Sequence, residues 1–157
     1  MLDRNDYKNS LNSLDTIKTV LQREPFTVQK QKRLGDVFHS FGKVFYKNAN
    51  FKKSLQSYQQ CLQLRKDLDP LGCAEAKKDI AEVLLAIGKH VEARSYFCDA
   101  LEMKTTLYAL DHPIVAASLL ELGEFLLQNI ETYETREDLI RNFLQEGKFP
   151  YLHSLFC

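Results

Sequence analysis

The sequence has no tryptophan and, in 157 residues, only 6 glycines, 4 prolines and 4 cysteines. So little turn material argues against a β-sandwich or barrel. Excess charge is missing as well: 21 basic residues face 21 acidic ones, so no overall field draws the chain to nucleic acid or an anionic membrane. No run approaches the roughly 20 apolar residues that span a bilayer. The polar start, Met1 to Asp6, reads as neither a secretory signal nor an anchor. Cys61, Cys73, Cys98 and Cys157 lack the Cys-x-x-Cys pairing or nearby histidines of a zinc site. They are expected to be reduced thiols of a cytoplasmic protein, with Cys61 and Cys98 acting as small buried hydrophobes. Neither a metal nor a cofactor is expected.

What the chain does have is 45% hydrophobic and 27% charged residues, enough apolar material for the core of one domain. Leu, Lys, Glu, Gln and Ala, which lose little freedom in a helix, are plentiful. Apolar spacing of the helical kind runs throughout, interrupted at short polar or proline-containing joints, and no segment reads as a strand. About seven helices are expected, over 5–22, 27–47, 51–65, 72–87, 90–108, 113–128 and 133–146, with a short turn near 150–156. Pro113 suits the first turn of its helix, and Asp111 is the expected cap. Charge is segregated along the chain: residues 1–70 hold 13 basic against 7 acidic side chains, and residues 71–157 hold 8 against 14.

Self-similarity organises the chain. At an offset of 39 residues, Ser54 falls on Ala93, Tyr58 on Phe97 and Leu62 on Leu101. Phe38, Phe41, Gly42 and Phe45 fall on Lys77, Ile80, Ala81 and Leu84, and a further step of 42 reaches Leu119, Leu122, Gly123 and Leu126. Tyr7-Lys8-Asn9-Ser10-Leu11-Asn12-Ser13-Leu14 follows Phe51-Lys52-Lys53-Ser54-Leu55-Gln56-Ser57-Tyr58 closely. The chain therefore reads as the second half of a repeat followed by three repeats.

The pattern Phe38-x2-Phe41-Gly42-x2-Phe45 with Ser54-x3-Tyr58 resembles the tetratricopeptide repeat. Leu101-Glu102-Met103, then Asp111-His112-Pro113-Ile114-Val115-Ala116 and Leu122-Gly123, is similar to the repeats of kinesin light chains. The resemblance implies an all-α solenoid of helical hairpins, a right-handed superhelix, in one domain: a lone second helix at 5–22, repeats at 27–65, 72–108 and 113–146, and a cap at 147–157. Small residues (Gly42, Ala81, Gly123, Ser54, Ala93, Ala100) would let paired helices approach while aromatics fill the space beside them. The last repeat, Thr135 to Phe143, departs from the pattern by lacking small residues.

The family pattern also implies a concave groove. Its lining would be Asp36, His39, Ser40, Lys43, Tyr46 and Lys47 from the first repeat, Lys78, Asp79 and Glu82 from the second, and Leu120, Glu121 and Glu124 from the third. A groove basic at one end and acidic toward the other suits a mixed-charge peptide or helix of a partner protein. At the positions that clamp a chaperone C-terminal carboxylate in this family stand His39, Lys43, Asp79, Ala117 and Glu121; the two acidic groups would repel that ligand. The paired asparagines of kinesin light chains are replaced by Lys78-Asp79 and Leu120-Glu121.

No phosphate loop, nucleophile elbow or His-Glu-x-x-His motif is present, and His39, His90, His112 and His153 stand apart from cysteines and converging carboxylates. Lys30-Gln31-Lys32-Arg33 reads as the exposed face of the second helix. The expectation is a non-enzymatic adaptor or scaffold. The alternative is an assembly subunit that oligomerises through residues 1–22, whose Leu11, Leu14, Ile17 and Leu21 lack one neighbour, or through the apolar tail 149–156.

Overall fold

A computed structural model describes residues 4–109 and 111–128. Among them lie six helices and no strand: α1 (Arg4–Arg23), α2 (Val28–Lys47), α3 (Phe51–Arg65), α4 (Pro70–Ala86), α5 (His90–Leu107) and α6 (Pro113–Gln128). The helix expected at 133–146, the turn at 150–156 and Cys157 lie outside the described residues. The chain divides into two compact units, residues 1–96 and 97–157.

Side-chain caps fix the helix starts. The Thr27 hydroxyl accepts from the Lys30 amide at 3.0 Å, and Asn50 Oδ1 from the Lys53 amide at 3.4 Å. The fourth helix begins at Pro70, two residues before the expected start, because the Asp69 carboxylate accepts from the Gly72 amide at 2.9 Å and proline is pre-organised for the first turn. At the head of α6 the expected cap needs correction. The residue before Pro113 is His112, whose Nδ1 accepts from the Ile114 amide at 3.2 Å while its ring stacks on Tyr108 at 4.4 Å.

In the first unit, α1 packs on α2 through Leu21, Val37 and Phe41, with Leu11, Leu14, Leu34, Phe38 and Phe45 around them. Lys18 covers the Phe41 ring at 5.3 Å. The α2–α3 hairpin is closer still. Ser54 Oγ donates to the Gly42 carbonyl at 2.8 Å, and a Cβ on Gly42 would stand 2.4 Å from Tyr58 Cε1. Only glycine leaves room for that ring. The basic run is engaged rather than merely solvated: Lys30 donates to the Gln22 and Glu24 carbonyls, Gln31 to the Leu64 carbonyl, and Arg33 meets Glu24 at 3.6 Å. Ala81 and Ala93 are fully buried, as expected of small residues.

In the second unit Leu101, Val115 and Leu122 are buried, along with Cys98 and Ala100. Gly123 differs from Gly42, since nothing described comes within 4 Å of a Cβ built there. No described helix is long and apolar enough to cross a membrane.

Candidate partner-binding face

The helical period brings Asp36, His39, Ser40, Lys43, Tyr46 and Lys47 to one side of α2. Asp79, midway along α4, is 8% exposed. The structure joins two of the expected groove residues directly. His39 Nε2 donates to Asp79 Oδ2 at 2.8 Å, across 40 residues of sequence, with both side chains nearly buried. Tyr58 donates its hydroxyl to the same carboxylate, and its ring lies 5.6 Å from the imidazole. Lys78 Nζ approaches from the other side, 3.9 Å from Asp79 Oδ1 and 3.4 Å from Glu82. A buried carboxylate with a ring N–H, a phenol and an ammonium around it is satisfied rather than poised for chemistry.

The titration of the two tyrosines reflects this environment. Burial pushes the Tyr58 hydroxyl far up, and Asp79 adds to the shift. Tyr46 is raised by burial and then by Glu82 and Asp79, and its ring meets Phe51 at 6.0 Å. Both phenols stay protonated and remain donors near neutral pH. The thiols are equally subdued: burial pushes Cys61 up to about 11 and also raises Cys73.

Asp36 is exposed, yet it is occupied by Arg65, a nearly buried cation in the last turn of α3. Arg65 also donates to the Gly72 carbonyl at 3.1 Å and lies 3.6 Å from Asp69, while its side chain packs 3.0 Å from where a Gly35 Cβ would be. It thereby fastens α2, α3 and the α3–α4 joint together. Ser40 turns its hydroxyl back to the Asp36 carbonyl at 2.9 Å. Lys43 and Lys47 are left exposed, with no ion pair among the described residues. Tyr46 and Glu82 are half-buried between these groups.

In the second unit Leu120 is 65% exposed, Glu124 is exposed and Glu121 is half-buried. Sequence reasoning missed Arg65 and its counterpart there. Lys104 is buried and donates to Ser118 Oγ at 2.7 Å, which in turn donates to the Ile114 carbonyl at 3.1 Å. A signal existed. Arg65 continues the buried stripe Ser54, Tyr58, Cys61 at helical spacing, and Lys104 repeats it 39 residues later.

No curated protein matches the chain at a significant level. A family model does: residues 33–106, from the middle of α2 to the end of α5, match the tetratricopeptide repeat. With its α2–α3 helical hairpin closed by small residues against Tyr58, the stretch 33–106 is built of tetratricopeptide repeats.

Proposed function

We propose that this protein is a non-enzymatic adaptor that holds a peptide or helix of a partner protein on the face shared by α2 and α4. Tetratricopeptide repeats are in general protein–protein interaction modules. The observation that carries the reading is a division of labour among the expected groove residues. His39, Asp79 and Asp36 are consumed by partners within the chain, whereas Lys43 and Lys47 stand exposed beside the phenol of Tyr46. Two exposed cations near a half-buried hydrogen-bond donor suit acidic or polar groups of a bound segment. Leu120, Glu121 and Glu124 are proposed as the third repeat's contribution. Kinesin-light-chain-like character is supported by Pro70 and Pro113, each opening a helix behind a side-chain cap. A cytoplasmic location is supported by the free thiols of Cys61, Cys73 and Cys98.

The test is proximity labelling with the wild-type chain and with Lys43→Glu/Lys47→Glu, after light scattering on both. Loss of a defined partner from a variant that keeps its melting temperature is the expected result. An unchanged partner set would refute the assignment of this face. A second reading, an assembly subunit working through its terminal helices, is favoured by Phe26 and Val28, which are 79% and 54% exposed at the α1–α2 joint. A larger solution mass in the wild type would favour it.

A further inference from the structure

The chain's charge is balanced overall but not at the α1–α2 joint. Residues 15–33 carry five cations, Lys18, Arg23, Lys30, Lys32 and Arg33, against Asp15 and Glu24. Two of the five are neutralised: Lys18 pairs with Asp15 at 2.7 Å and Arg33 with Glu24 at 3.6 Å. Lys30 is anchored on the Gln22 and Glu24 carbonyls, which fix its position and leave its charge uncompensated. Arg23 is exposed and Lys32 half-buried, neither in an ion pair among the described residues. Between these cations the backbone turns with its apolar groups outward. Pro25, Phe26, Thr27, Val28 and Gln29 are all exposed, Phe26 at 79%. Val20 and Ile17, three residues apart on one side of the last two turns of α1, are exposed as well. The fold makes no use of the phenyl ring: Thr27 is the cap of α2, and Leu21, Val37 and Phe41 close the core without it.

We propose that this joint is a peripheral membrane contact, at which Phe26 and Val28 enter the headgroup boundary of a bilayer while Arg23, Lys30 and Lys32 meet its anionic lipids. An apolar tip ringed by cations complements a surface that is negative at its headgroups and apolar just beneath them. Two observations favour a bilayer over other occupants. Five exposed residues in a row make a tip between two helix ends rather than a groove, so no slot is formed for a partner's helix, and a lipid boundary needs none. The exposed apolar groups beside Phe26 are aliphatic, matching acyl chains and offering no further ring on which a nucleotide base could stack. The contact goes beyond the adaptor reading and uses no residue of the α2–α4 face, so either assignment can fail without the other.

The test is flotation of the full chain with vesicles of phosphatidylcholine alone and of phosphatidylcholine containing about 30% phosphatidylserine. Binding to the anionic vesicles only is expected, weakened about tenfold or more by Phe26→Ser and by Arg23→Glu/Lys32→Glu. Phe26 is too exposed for its loss to unfold the chain, and Arg23→Glu alone serves should the double variant melt lower. Val91→Ser, which removes a similarly exposed apolar group from α5, should change nothing. No flotation with anionic vesicles overturns the proposal, as does flotation indifferent to Phe26→Ser. A loss as large from Lys43→Glu/Lys47→Glu marks a diffuse attraction of charge and overturns it too. So does a dimer that Phe26→Ser makes monomeric, which assigns the joint to a second copy. Oligouridylate binding that Phe26→Ser abolishes assigns the joint to single-stranded nucleic acid and likewise overturns it.

Discussion

Arg65 and Lys104 occupy the same place in successive repeats, 39 residues apart, and the chain treats the two buried cations differently. Arg65 is surrounded by acceptors: the Asp36 and Asp69 carboxylates and the Gly72 carbonyl. Among the described residues Lys104 has one neutral hydroxyl, that of Ser118. A planar guanidinium can serve several elements at once, whereas an ammonium with a single neutral acceptor recovers little of its lost hydration. The lesson is that a repeat conserves the position of a buried cation within a chain without conserving what the cation does. In the first unit it is a fastener; in the second it is a cost that the surrounding packing must offset.

The most direct way to break that contrast is to remove the fastener. Arg65→Ala should lower stability by about 2–4 kcal/mol, less than loss of a fully buried pair because Asp36 can rehydrate; urea denaturation reads it. Next in size is Gly42→Ala, which drives a methyl group into the Tyr58 ring and should cost about 1–3 kcal/mol. Gly123→Ala, with nothing described beside it, should instead gain up to about 1 kcal/mol from helix propensity. Thermal melts of the two glycine variants should therefore move in opposite directions. Lys104→Met should be neutral or stabilising by about 1 kcal/mol, the inverse of Arg65→Ala. A loss of more than that amount would mean the ammonium is better satisfied than the Ser118 contact implies.

The smallest effect concerns helix ends. The α4 helix closes with Gly88 at φ +78°, the Gly88 amide donating to the Leu85 carbonyl and the Lys89 amide to the Leu84 carbonyl, both at 2.9 Å. Thirty-nine residues earlier α2 closes with the same pair of bonds, but the left-handed position is Ala49, at φ 56°. Relief of that strain by Ala49→Gly should raise stability by about 0.5–1 kcal/mol, visible as a small rise in melting temperature.

Helix existence was legible along the described chain because apolar spacing, Thr27, Asn50 and the two proline joints all point the same way. Two starts were read imperfectly. Asp69 and Pro70 together are a cap and a first turn ahead of the expected start at 72, and His112, not the expected Asp111, bonds the first turn of α6. The candidate face was legible as a face, since periodicity sets which side of α2 a residue occupies. What each residue touches there was not. His39 finds Asp79 and Asp36 finds Arg65 across 40 and 29 residues, and no local pattern encodes such pairings. The uncovered side of α1 was anticipated in part: Ile17 is open as expected, while Leu11, Leu14 and Leu21 are taken up by α2.

The His39–Asp79 bond also has a mechanical meaning. It ties α2 to α4 over α3, closing a contour of 40 residues. Tension applied along the chain on either side of this contour is carried by the bond and the α2–α4 contact, so α3 bears none of it until they part. Fully extended, that enclosed length amounts to about 130–140 Å at roughly 3.3–3.6 Å per residue. A pulled molecule would release it as one long step rather than helix by helix.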